Sequence, residues 1–191
     1  MANSFIKTED LLFNLIDGDK MKPALLVIDV QKQFFEEDPD TAKSLESAVN
    51  YIIIPTIRLF HEKKLPIVFI QHMERENGLL PGTEGFELPE AFDVQTGDLR
   101  ITKTYNNAFN KTDLHEKLKA LGVDTLIITG YCAEWCILST IRGAWDLDLQ
   151  AIVLLGSIAS GSKESISFVE NSHSSISLGA LQTFIKAMPS M

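Results

Sequence analysis

Three reactive side chains fall at the ends of apolar runs in this 191-residue sequence: Asp29 in "ALLVIDV", Lys103 in "DLRITKT", and Cys136 just beyond "DTLIITG". A carboxylate, an ammonium and a thiol together make a coherent nucleophilic device. The thiol opens a helical pattern, where free N–H groups and the helix dipole favour a thiolate. A nearby ammonium lowers the thiol pKa further, and a carboxylate can take the proton and later return it to a leaving amine. The stretch "TGYCAEWCILST" also holds Cys132, so both cysteines of the chain share one corner. Four readings are open to such a pair: metal ligands, a redox couple, two core residues, or one nucleophile with a bystander. No second pair or histidine stands at ligand spacing, which weakens the metal reading. A CxxxC that crosses from strand to helix is also not the usual CxxC arrangement, though this does not exclude a redox role.

The elements that must position these groups are legible as alternation. Five apolar runs read as strands: 24–30, 66–72, 98–104, 124–130 and 150–156. Several lack in–out alternation, as strands covered on both faces do. Helical patterns lie between them, at 44–64, 112–121, 136–146 and 172–188, with Pro55 marking a kink or restart in the first. Alternating strand and helix implies βαβ units, hence an α/β fold in three α/β/α layers around a mostly parallel, Rossmann-like sheet. Residues 73–97 carry glycine and proline turn signals and read as a long connection beside the sheet. "SIASGSKESIS" reads as a serine-rich loop, and residues 1–20 as an amphipathic helical extension on a single domain spanning 1–191.

Composition sets the outer bounds. The hydrophobic share is 45% and the charged share 23%, ordinary for a soluble globular protein. A net charge of −9 argues against nucleic acid or an anionic membrane as the main partner. No apolar run reaches membrane-spanning length, and the N-terminus lacks the pattern of a signal peptide. With only two cysteines, these features point to a reducing, cytoplasmic setting.

"ALLVIDVQKQFF", "ITKTYNNAFNKTDLHEKLKALGVDTLIITGYCAEWC" and the helix that follows resemble the isochorismatase-like cysteine hydrolases. That superfamily includes nicotinamidases, N-carbamoylsarcosine amidase and ureidoacrylate amidohydrolases. The resemblance spans roughly residues 23–155 and implies an Asp29–Lys103–Cys136 triad. Asp29 would be the general base and acid, Lys103 the cationic partner and Cys136 the nucleophile. It also implies a non-proline cis peptide at Tyr131–Cys132, with the Cys132 and Cys136 N–H groups forming an oxyanion hole. On this reading Cys132 serves through its backbone rather than its thiol. A homo-oligomer, dimer or tetramer, is implied as well.

Departures from the family pattern narrow the expectation. Nicotinamidases carry Asp-x-His metal ligands after the second strand, where this chain has Gln71 and Met73 in "IQHMEREN". No catalytic metal and no cofactor are therefore expected, and His72 reads as a polar residue at the pocket rim. The segment "LLGSIAS" has Ser157 near where relatives often have an Asp, which suggests a reshaped pocket wall. Phe34, Phe35, Tyr105, Phe109 and Trp135 flank the motifs and are candidates for a substrate-binding aromatic wall. Asn106 or Asn107 could orient a substrate amide or cap a helix. Glu134 could bond within the turn or meet a substrate amine, and His61, His115 and His173 read as surface residues. The expected activity is hydrolysis of a small amide, ureido or carbamoyl C–N bond through a Cys136 thioester. Two other classes stay open: a non-covalent vinyl-ether hydrolase using Asp29 and Lys103, and a non-catalytic binding or assembly protein.

Overall fold

The computed structural model describes residues 21–188. The helical extension expected over residues 1–20 lies outside the described residues. Six parallel strands form one sheet: β1 (Pro23–Ile28), β2 (Ile67–His72), β3 (Leu99–Lys103), β4 (Thr125–Tyr131), β5 (Gln150–Ala159) and β6 (Ser175–Ile176). Their order is β3-β2-β1-β4-β5-β6, so the chain runs outward from β1 to one edge and then from β4 to the other. Such a reversal leaves a crevice at the carboxyl ends of the two central strands, where open α/β sheets bind ligands.

Every residue of β1 is buried, which explains its unbroken apolar run. Leu26 and Ile28 pack with Val68, Ile128 and their neighbours on one face. That face is covered by α3 (Leu114–Ala120), α4 (Leu138–Trp145) and α5 (Lys163–Ser172). Leu25 and Val27 point the other way, with Phe69 and Ile127, toward α1 (Pro39–Ala48), α2 (Ile54–Glu62) and α6 (Leu178–Ala187). Alternate side chains of one strand thus feed two separate cores. The long helical pattern around Pro55 is interrupted by a π-helical turn over Val49–Ile53, and the helix restarts at Ile54 with proline in its first turn. Proline lacks the N–H that a helix interior needs but fits the first turn.

Two expectations for the C-terminal part are corrected. "SIASGSKESIS" is not a loop: Ser157–Ala159 complete β5 and Lys163 begins α5. The Ser162 side chain accepts from the Ser165 N–H and caps that helix, so its serines are start signals rather than loop signals. The helix expected from Ser172 begins only at Leu178, after the short β6, with Ser177 capping it.

The connection after β2 is irregular but packed. Phe92 lies buried and stacks on Phe69 at 5.8 Å between ring centroids. The Phe86 carbonyl accepts from the side-chain amides of both Gln31 (3.1 Å) and Gln71 (2.8 Å). Those two bonds tie the connection to the ends of β1 and β2.

Candidate active site

Asp29 is the first residue beyond β1 and adopts a left-handed backbone (φ 53°), which short polar side chains tolerate better than most. Its N–H still donates to the Ile70 carbonyl (2.8 Å), so the chain turns without losing the strand pairing. Lys103 ends β3 and is buried to 1% exposure, as is Asp29. The Lys103 Nζ donates to Asp29 Oδ2 at 2.6 Å and to Cys136 Sγ at 3.2 Å, and lies 3.2 Å from His72 Nδ1. An ammonium has three N–H groups, and this one is surrounded by a carboxylate oxygen, a sulfur and a ring nitrogen. The second carboxylate oxygen, Asp29 Oδ1, is buried without a partner.

β2 and β3 thus end in His72 and Lys103, Asp29 directly follows β1, and the turn after β4 supplies the thiol. That turn has its own requirements. Gly130 sits at φ +119°, and a Cβ there would overlap the Ile28 carbonyl, so only glycine lets β4 lie this close to β1. The Tyr131–Cys132 peptide bond is cis. A π-helical turn over Ala133–Ile137 follows, in which the Cys132 carbonyl accepts from the N–H groups of Trp135 and Ile137. The Cys132 thiol donates to Glu134 Oε2 (3.0 Å), which also accepts from the Ser160 hydroxyl (2.7 Å).

The electrostatics differ from the sequence expectation of a depressed thiol pKa. Burial, then the Asp29 charge, push the Cys136 thiol up to about 12, while Lys103 pulls in the opposite direction without prevailing. Cys136 therefore rests as a thiol beside a carboxylate and an ammonium. Cys132 is also pushed up to about 12, by burial and then by its hydrogen bond to Glu134. The same burial, with the neighbouring Lys103 charge, lowers the His72 pKa below its ordinary value and favours a neutral ring.

Asp29, His72 and Cys136 each offer one potential metal-ligand atom, and the three atoms lie within 4.8 Å of one another. The Lys103 ammonium reaches all three, so the positive charge this cluster can hold is supplied there by the chain itself.

A family model, the isochorismatase domain, matches residues 23–172. The chain belongs to the isochorismatase family. It is 30% identical over 135 residues to an uncharacterised isochorismatase family protein of Bacillus subtilis, covering 70% of this chain and 71% of that one. It is also 30% identical over 144 residues to Nicotinamidase 3 of Arabidopsis thaliana, covering 68% and 69%. Its fold matches that of N-carbamoylsarcosine amidase from Thermoplasma acidophilum, with a TM-score of 0.69, 24% identity, and 82% and 95% of the two chains covered. The isochorismatase-family hydrolase fold is therefore established for this chain.

Within this family member, the three side chains singled out by sequence converge, while the aromatic candidates divide. Phe34 lies 5.0 Å from the Tyr131 ring, and with Phe35 packs against the α1/α2/α6 core. Phe109 leans on the opposite core. Tyr105 and Trp135 stand exposed, Tyr105 accepting a hydrogen bond from Lys111 at 2.7 Å. Asn106 lies 3.8 Å from Cys136 Sγ, whereas Asn107 accepts from the Phe109 N–H and shapes the turn. Ser157 is fully buried and donates to the Leu154 carbonyl, which places it inside the sheet rather than on a pocket wall. His61 is not a free surface residue: its Nε2 meets both Asp98 carboxylate oxygens at 3.0 Å. His173 stacks on Trp145 at 5.4 Å, and His115 is half-buried.

Of two further residues at the site, the sequence reading put His72 only at the pocket rim and did not single out Gln31. His72 sits beside Lys103 because the two are register partners on β2 and β3, with their side chains on one side of the sheet. Gln31 clamps the His72 backbone, its Oε1 accepting from the His72 N–H (2.7 Å) and its Nε2 donating to the His72 carbonyl (3.0 Å). The available signal was position alone: a histidine closing the strand next to the one that ends in the lysine.

Proposed function

We propose that this chain is a cysteine hydrolase that cleaves the C–N bond of a small amide, ureido or carbamoyl compound through a thioester on Cys136. One observation carries the reading: a buried ammonium, Lys103 Nζ, donates to both the Asp29 carboxylate and the Cys136 sulfur. Similarity to a nicotinamidase and to an N-carbamoylsarcosine amidase, both named for such bonds, supports it.

Charge balance makes the step feasible in a buried site. At rest the site holds Asp29⁻, Lys103⁺ and a neutral thiol. When Asp29 takes the thiol proton the negative charge moves to sulfur, still beside Lys103, and the net charge is unchanged. No extra charge is buried, so a thiol that ionises poorly into bulk water can still pass its proton to a neighbour. The thiolate adds to the substrate carbonyl carbon, and the Cys132 and Cys136 backbone N–H groups are the proposed donors to the oxyanion. Asp29 then protonates the departing amine as the C–N bond breaks. Asp29, again a carboxylate, takes a proton from water, and the resulting hydroxide displaces Cys136 as thiolate. The thiolate recovers its proton from Asp29, leaving the acid and the amine as products.

Intact-protein mass spectrometry during turnover of a panel of amides, ureido acids and carbamoyl compounds tests this. A transient mass increase on Cys136, absent in Cys136→Ala, is the expected result. Turnover with no adduct and full activity in Cys136→Ala would overturn the thioester and leave a non-covalent hydrolysis by Asp29 and Lys103. Absence of both adduct and product across the panel would favour the non-covalent vinyl-ether hydrolase or a non-catalytic binding protein.

A further inference from the structure

The Lys103 ammonium has three N–H groups, and the proposed reaction uses only two of its contacts. The third acceptor is His72 Nδ1, at 3.2 Å. We propose that His72 is a positioning residue: its neutral Nδ1 accepts the third N–H of Lys103 and fixes the ammonium between Asp29 and Cys136. The role in the reaction rests on the cysteine-hydrolase reading above, whereas the contact itself does not.

Three observations support the assignment. The two residues are register partners on adjacent strands, so their side chains leave the sheet together. The His72 backbone is held from both sides by the Gln31 amide, which is itself fully buried, so the ring leaves a fixed point. Burial first, and then the Lys103 charge, favour the neutral ring and outweigh Asp29 and Glu74, which pull toward the charged form. Lys103 faces it from β3, Asp29 from β1, the Cys136 thiol from the turn after β4, and Glu74 from the following connection. A protonated ring would set an N–H against an ammonium and add a second buried cation, and burial and Lys103 both oppose that. Because Nδ1 accepts, the ring proton belongs on Nε2.

Lysine 103 without this acceptor would keep one buried N–H unpartnered and would be free to rotate away from sulfur. Displacements on this scale at a reacting centre are costly, roughly 10–10²-fold in rate. Asparagine can present a carbonyl oxygen near the place of Nδ1, whereas glutamine carries its amide one bond farther, near the place of Nε2. Leucine keeps the packing and removes the acceptor.

Histidine nitrogen spectra of the wild-type protein test the tautomer directly, with the His72 signals identified by their loss in His72→Asn. The expected pattern is a neutral ring with its proton on Nε2 at pH 7 and a midpoint below the ordinary 6.5. The second measurement is the rate at which p-nitrophenyl acetate, as a model acyl donor, places an acetyl group on Cys136. His72→Leu and His72→Gln should slow it roughly 10–10²-fold, and His72→Asn should recover most of the loss. A proton on Nδ1, a charged ring at pH 7, or an unchanged acetylation rate in His72→Leu overturns the proposal. Wild-type protein that shows the Nε2–H ring but takes no acetyl on Cys136 overturns the cysteine-hydrolase reading and upholds the His72–Lys103 contact. Should His72→Leu fail to fold, the wild-type tautomer and the His72→Asn rate decide.

Discussion

The two cysteines sit in one turn, are equally buried at 8% exposure, and are both pushed up to about 12. Their neighbours are opposite in kind. Cys132 faces a carboxylate and a hydroxyl, Glu134 and Ser160, with no cation in its hydrogen-bond set. Cys136 faces a carboxylate and an ammonium together. A carboxylate alone holds the thiol proton in place. A carboxylate paired with an ammonium offers the proton somewhere to go and gives the remaining thiolate a counter-ion. Burial makes both thiols poor acids in bulk water, and on the proposed reaction it is the second neighbour that suits Cys136 rather than Cys132 to act as nucleophile.

The sharpest way to break that contrast is to delete each sulfur in turn. Cys136→Ala should cost roughly 10³-fold or more in turnover of whichever panel compound is cleaved, and Cys132→Ala less than about tenfold, measured as initial rates. Equal losses would mean that the turn, not the ammonium, confers activity. Next in size is the cation. Lys103→Met should slow acetylation of Cys136 by p-nitrophenyl acetate roughly 10²–10³-fold, while Glu134→Gln should leave it near wild type. Glu134→Gln should instead lower the alkylation midpoint of Cys132, read by peptide mapping after iodoacetamide treatment across pH, because it removes a charge that raises that thiol.

The smallest effect is thermodynamic and common to both thiols. Each ionises near 9 when unperturbed and near 12 in the fold, so between those values the unfolded chain has lost a proton that the folded chain keeps. Stability is therefore fully present below pH 9 and declines toward pH 12, by up to about 1.4 kcal/mol per pH unit for each thiol. Urea unfolding should show a shallower decline in Cys132→Ala than in wild type over that window. An identical slope would mean that Cys132 is not held protonated by the fold.

Much of this site could be read from types and positions along the chain. Asp29, Lys103 and Cys136 stood out because strand ends are marked by where apolar runs stop, and parallel sheets gather those ends on one side. The contribution of His72 was not legible, since nothing in "IQHM" states that β2 and β3 pair in the register that sets His72 beside Lys103. The direction of the Cys136 shift was missed for a related reason. A nearby lysine was foreseen, but how completely the fold removes water, and how close Asp29 stands, are tertiary quantities. The helix at Lys163–Ser172 was obscured by its own cap, because serine-rich sequence marks helix starts and loops alike.

The placement of one polar residue at each neighbouring strand end also governs how the site comes into being. Asp29 and Lys103 are 74 residues apart, and Lys103 and Cys136 are 33 apart, yet their contacts are direct. Each contact requires parallel pairings between segments distant in the chain, whose loop-closure cost falls due before the sheet rewards it. The array therefore has no half-built form within any short fragment. Restored acetylation of Cys136 during refolding would report completion of the whole β1–β4 sheet, with the chemistry serving as a clock for the topology.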